Sequence, residues 1–76
     1  MAKLPRSTGR EMVRILQRQG FRLVGVRGSH HFFERGDMRT TVPVHGNRNL
    51  KIGTLRSILR DVDISPAEFE RLLHDN

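Results

Sequence analysis

The hydrophobic period changes along the chain, and each change marks an element. Between residues 8 and 19, Met12, Ile15, Leu16 and Gln19 recur on one side while Arg10, Arg14, Gln17 and Arg18 take the other. That spacing predicts an amphipathic helix. Thr8, with Glu11 three residues on, supplies a capping box at its start, and Gly20 is placed to terminate it.

From Phe21 the helical period disappears. The run from Phe21 to Arg27 is rich in Val and Phe and too short for another helix, so it predicts a strand. Gly28-Ser29 predicts a tight turn or bulge, His30 to Arg35 a second strand, and Gly36-Asp37 another turn. Met38 to Val44 predicts a third strand. Pro43 cannot donate to a ladder, so that strand should end there or lie at a sheet edge.

After a polar loop from His45 to Leu50, the helical period returns at Ile52, Leu55, Ile58, Leu59 and Val62. Lys51, Arg56 and Arg60 lie away from that stripe, and Arg56 and Arg60, one turn apart, read as a solvated face. Ser65-Pro66-Ala67-Glu68 is a second capping box, with Pro at the first helical position, where its missing N–H costs least. It opens a short helix through Phe69, Leu72 and Leu73. The order α-β-β-β-α-α predicts an α+β fold: a three-stranded antiparallel sheet with helices on one face and the other free for a ligand or partner.

Length adds one constraint. Seventy-six residues make one domain, 1–76, with residues 1–6 expected to be flexible. Composition removes several classes. With no cysteine there is neither a disulfide framework nor a thiolate zinc site, which fits a cytoplasmic protein. The first residues carry no apolar signal-peptide core, and no apolar run approaches the roughly 20 residues that span a bilayer. Charge points to a partner. Fourteen Lys and Arg stand against eight Asp and Glu, a formal +6, and twelve of the cations are arginine. Arginine's planar fork suits bidentate phosphate contacts, so nucleic acid is favoured over a merely soluble surface.

Three of the four histidines fall between Gly28 and Gly46. A shared metal ion is disfavoured, because adjacent strand residues such as His30 and His31 point to opposite faces. Alternation groups His30 with Phe32 and Glu34, and His31 with Phe33 and Arg35. Both faces carry a Phe, so alternation alone does not say which points to the helices. One histidine of the pair should pack near the core and the other be exposed, and a lone exposed histidine is usually a surface residue. The alternative is acid–base chemistry on RNA. An imidazole titrates near neutrality, and RNA carries its own nucleophile in the 2′-hydroxyl. A Gly-Ser turn that lets backbone approach a phosphate, a histidine and surrounding arginines supply the remaining ingredients.

The segments VGVRGSHHFFER, TTVPVHGNRNLKIGTLRSILRDVDIS and SPAEFERLL resemble HicA, the toxin half of HicA–HicB toxin–antitoxin modules, in its YcfA-like branch. The likeness runs from the Arg10 helix to Leu73. Gly28-Ser29-His30 together with Gly53–Leu59, in this order and at this length, makes it specific. The resemblance implies a double-stranded-RNA-binding-domain-like fold. It also implies a metal-independent mRNA interferase, an endoribonuclease that needs no cofactor. A HicB-type antitoxin would cover the active site, and the chain would be monomeric when free and hetero-oligomeric with antitoxin. The family's catalytic histidine follows Gly-Ser and lands on His30, although some members place it one position later, on His31. His45 matches another recurrent family histidine, without a catalytic role assigned. If His30 is catalytic, it should share the open sheet face with Phe32 and Glu34, leaving His31 and Phe33 toward the helices. Arg27, Gly28, Ser29, His31 and Lys51 are the expected RNA contacts, Lys51 because free helix N–H groups favour an anion beside it. Two other readings compete: a non-catalytic RNA-binding module of the same fold, and a protein-interaction domain that docks an acidic partner.

Overall fold

The computed structural model describes residues 4–75, so residues 1–3 of the expected loose start lie outside the described residues. Leu4 packs against the core. The elements are α1 (Gly9–Arg18), β1 (Arg22–Arg27), β2 (His30–Arg35), β3 (Met38–Pro43), α2 (Ile52–Asp61) and α3 (Pro66–His74). The strands form one antiparallel sheet in the order β1-β2-β3. This is the expected α-β-β-β-α-α order.

Local chemistry sets most boundaries. Thr8 and Glu11 close the capping box in both directions, with Thr8 N–H donating to Glu11 Oε1 at 2.8 Å and Glu11 N–H to Thr8 Oγ1 at 3.1 Å. Gly20, at φ +90°, ends α1, and Phe21 N–H returns to the Leu16 carbonyl at 2.9 Å. The last turn of α2 closes the same way, with Asp63 at φ +57° and Ile64 N–H donating to the Leu59 carbonyl. Gly28 and Gly36, both at φ +59°, take the first central position of two-residue hairpin loops, which is the type II′ requirement. At Ser65 only half of the expected box forms. Its hydroxyl accepts from Glu68 N–H, while the Glu68 carboxylate turns to Arg71 at 3.5 Å.

Gly28-Ser29 is therefore a turn, and the sheet's irregularity lies elsewhere. The register between β1 and β2 slips between Leu23 and Gly25, so Val24 is an extra residue, a β-bulge. β3 ends at Pro43, one residue earlier than expected, although Val44 N–H still donates in register to the Ser29 carbonyl at 2.8 Å. Pro43 meets both of its expectations, since β3 is also an edge strand.

One core joins the layers. Met12, Ile15 and Leu16 of α1, Phe33 and Val42 of the sheet, Leu55, Ile58 and Leu59 of α2 and Phe69 of α3 are all buried. Gly9 is required at the start of α1, because a Cβ there would run into the Pro43 carbonyl oxygen. At the other end, Arg35 of β2 donates to the Gln19 carbonyl and lies 4.9 Å from the centre of the Phe21 ring. α1 is thus held to the sheet at both ends, and the end next to Pro43 is where the histidines gather.

Candidate functional site

Phe33 decides the orientation of β2. It is 1% exposed, so it and its face partners point to the helices. Alternation then sends His30, Phe32 and Glu34 to the opposite, uncovered face, the arrangement expected above. Cross-strand pairing extends both sets. On the open face, His30 lies between Arg27 and Pro43, and Phe32 between Gly25 and Thr41. The Phe32 ring comes close to where a Gly25 Cβ would stand, at 3.8 Å. Glu34 lies between Arg22 and Arg39 and is ion-paired to both, at 3.3 and 3.7 Å.

The open face therefore divides along its length. Its far end is an Arg22–Glu34–Arg39 bridge across all three strands, in which the carboxylate already occupies the two cations. The turn end holds His30 and Arg27, both exposed, and neither side chain has an ion-pair or hydrogen-bond partner among the described residues. Between them Phe32 offers a half-buried ring. The far end shares one carboxylate between two arginines, whereas Arg27 at the turn end has no carboxylate partner among the described residues, and that is where an anion is favoured.

The turn brings in a second group. Ser29 Oγ is 3.4 Å from His45 Nε2, and His45 shares a cavity of about 250 Å³ with Pro43, Arg48, Lys51 and Thr54. Lys51 is the N-cap residue of α2 and provides no side-chain cap, and the first turn holds no acidic residue. The leading N–H groups of that helix are thus left for a ligand or solvent. Arg48 and Thr54 were not among the expected contacts. Arg48 lies in the loop that the sequence marks only as polar, and Thr54 becomes visible as a contact only once the loop folds onto α2.

His31 occupies a different setting on the helix side of the same strand. Its Nδ1 is 3.1 Å from the Ser29 carbonyl oxygen, which can only accept, so Nδ1 carries the proton and Nε2 of the neutral ring keeps its lone pair. Around it, Arg10, Val13, Arg14 and Val44 line a shallow concavity of about 420 Å³. Arg10 and Arg14 stand one helical turn apart on α1, a spacing visible in the sequence without any sign that it faces a histidine. The expected contacts thus separate. Arg27, Gly28, Ser29 and His30 lie together at the turn, Ser29 is linked through His45 to Lys51, and His31 opens to the other side. Ser29 touches both settings, with its hydroxyl toward His45 and its carbonyl toward His31.

A third concavity reaches from Val24, Phe32 and Arg39 on the open face to α2 and shares Thr54 with the His45 cavity. It runs between β3 and α2, holds about 590 Å³ and is lined by Thr40, Thr41, Thr54 and Ser57 together with Glu34 and Asp61. Thr40 Oγ1 donates to Asp61 at 3.0 Å. Two carboxylates against the one cation of Arg39 make it a poor seat for a polyanion. Among the described residues, no three His, Asp or Glu side chains come together as metal ligands, and no helix is long and apolar enough to cross a membrane.

No curated protein matches the chain. The family model described as HicA toxin of bacterial toxin-antitoxin matches residues 9–64, from the first residue of α1 to the buried Ile64 that closes α2. That span contains the turn, all three strands and both histidine settings, so this chain belongs to the HicA toxin family of bacterial toxin–antitoxin systems.

Proposed function

We propose that this toxin acts as a metal-independent endoribonuclease on mRNA, with His30 as the proton-transfer group and Arg27, Gly28, Ser29 and Lys51 as phosphate contacts. The observation that carries the reading is the exposed, unpartnered His30 beside unpaired Arg27, at a Gly-Ser turn on the uncovered sheet face. In the reaction, a base removes the 2′-hydroxyl proton and the 2′-oxygen attacks the adjacent phosphorus. The bond from phosphorus to the 5′-oxygen breaks, and an acid protonates that oxygen. The products are a 2′,3′-cyclic phosphate and a 5′-hydroxyl. A histidine serves as base in one form and acid in the other, and general acid–base help of this kind supplies about 10²–10⁴-fold. The cations and the Gly28-Ser29 backbone would stabilise the charge that builds on the phosphate. The family supplies a partner protein, and a HicB-type antitoxin that covers this end of the sheet is the corresponding means of control.

A second reading places the proton transfer on His31. The favouring observation is its Nδ1–H held by the Ser29 carbonyl, which presents Nε2 as a base beside Arg10 and Arg14. Cleavage of a single-stranded RNA in EDTA by the wild type, His30→Ala and His31→Ala separates the readings. Loss of about 10²-fold or more in His30→Ala alone supports the first, and the same loss in His31→Ala alone supports the second. RNA that binds and stays intact with the wild-type protein overturns both and leaves a non-catalytic RNA-binding module. A substrate with a 2′-deoxy sugar at the scissile position should resist cleavage throughout.

A further inference from the structure

β1 is the least covered element of the fold. Leu23, Val24 and Val26 are 44%, 49% and 55% exposed, and they are three of the four large hydrophobic residues exposed among the described residues. They do not share one face. Leu23 and Val26 pair with Phe33 and His31 and so lie on the helix side, while Val24, the bulged residue, lies with Phe32 on the open side. A surface patch that rests on one face of a sheet would not expose both. β1 is also an edge strand, bonded only to β2, so its outer N–H and C=O groups have no neighbouring strand. What this strand lacks on both faces and along its edge is another strand.

Charge selects the occupant. Arg22 and Arg27 stand at the two ends of β1, and the residues between them, Leu23 to Val26, carry none. In an antiparallel pairing of β1 with a second copy of itself, Arg22 of one chain would lie opposite Arg27 of the other at both ends. Like charges placed opposite each other destabilise a strand pair. The chain's formal +6 opposes self-association in the same sense. A strand with apolar residues at its centre and carboxylates at its ends meets both arginines with opposite charge. Arg27 has no ion pair of its own among the described residues, and Arg22 shares Glu34 with Arg39.

We propose that the outer edge of β1 is a docking site for an extended acidic segment of a partner protein, which joins the sheet as a fourth strand. The segment pairs its backbone with the free edge of β1. Its apolar side chains cover Leu23 and Val26 on one side and Val24 on the other, and its terminal carboxylates meet Arg22 and Arg27. The site shares Arg27 with the proposed phosphate contacts, while Leu23, Val24 and Val26, which carry its apolar part, lie outside that machinery.

The test uses the full chain and a capped peptide in which Val-Thr-Val-Thr-Val is flanked by one glutamate at each end. Its counterpart carries lysine at both ends. Backbone amide shifts and hydrogen exchange of β1 are followed as each peptide is added. The acidic peptide should bind, protect outward amides of β1, and bind at least about tenfold more tightly than the lysine peptide at low salt. The exposed double substitution Val24→Lys/Val26→Lys should weaken it by a similar factor. Binding by that variant with undiminished affinity overturns the proposal. So does equal affinity for the two peptides, or the absence of protection in β1 of the wild-type protein. That last readout decides the matter even if the double variant does not fold. Sedimentation as a dimer that buries β1 would assign the edge to a second copy. Protection of the outward amides from Leu23 to Val26 by an oligouridine in place of the peptide would assign the edge to RNA, and either result overturns the proposal.

Discussion

β2 carries two histidines and two phenylalanines in succession, and its two faces treat them differently. Phe33 is sealed in the core, and His31 is held by the Ser29 carbonyl between strand and helix. Phe32 and His30, one residue away from each, lie on the face that no helix covers. The same contrast appears at the helix starts. α1 satisfies its first N–H groups with Thr8 and Glu11, whereas α2 begins at Lys51 with no side-chain cap and no acidic residue. In both cases one member secures the fold and its neighbour is left available to a ligand. Stability and chemistry are divided between adjacent positions of one strand and between equivalent positions of two helices.

Four substitutions bear on that division. The largest effect belongs to Phe33→Ala, which should cost about 3–5 kcal/mol. For a domain this small such a loss is enough to unfold much of the population, and denaturant unfolding reads it directly. Phe32→Ala should separate from it. Its stability cost stays below about 1.5 kcal/mol, while RNA affinity falls by about 1–3 kcal/mol if the ring stacks on a base. A fluorescence titration with single-stranded RNA checks this, and unchanged affinity would remove Phe32 from the binding surface. At the helix starts, Thr8→Ala should lower stability by about 1 kcal/mol without touching cleavage. Lys51→Asp should do the opposite. A capping carboxylate at the bare start of α2 should raise stability by about 0.5–1 kcal/mol, and the same change should weaken RNA binding. A thermal melt beside a binding curve tests the pair. If Lys51→Asp gains stability and keeps full RNA affinity, α2's open start has no part in the site.

Much of this could be read before the fold was known, because it depends on neighbours in the chain. The capping box at Thr8 and Glu11, the stop at Gly20, the two-residue turns at Gly28-Ser29 and Gly36-Asp37, and the break at Pro43 are all local chemistry. So are the six elements, whose apolar residues recur at helix or strand period. The pair His30 and His31 was also visible as a candidate for acid–base chemistry, and alternation already required that the two diverge.

Only tertiary packing decided which of them faces out. Both faces of β2 carry a Phe, so the choice had to wait for Phe33 to be buried against helices that come from elsewhere in the chain. The bulge is another such case. The sequence offers only Gly28-Ser29 as a bulge, and the slip at Val24 arises from matching β1 to β2 across the hairpin. His45 meets Ser29 because Val44 N–H is drawn to the Ser29 carbonyl, a contact between residues fifteen positions apart. Arg10 and Arg14 meet His31 because Gly9 lets α1 approach the end of β3. The sequence by itself determined the elements, their order and the residue types available for chemistry, since backbone preference and side-chain period act over a few residues. The tertiary structure decided which of those residues share a surface, since that depends on burial and on contacts between distant segments.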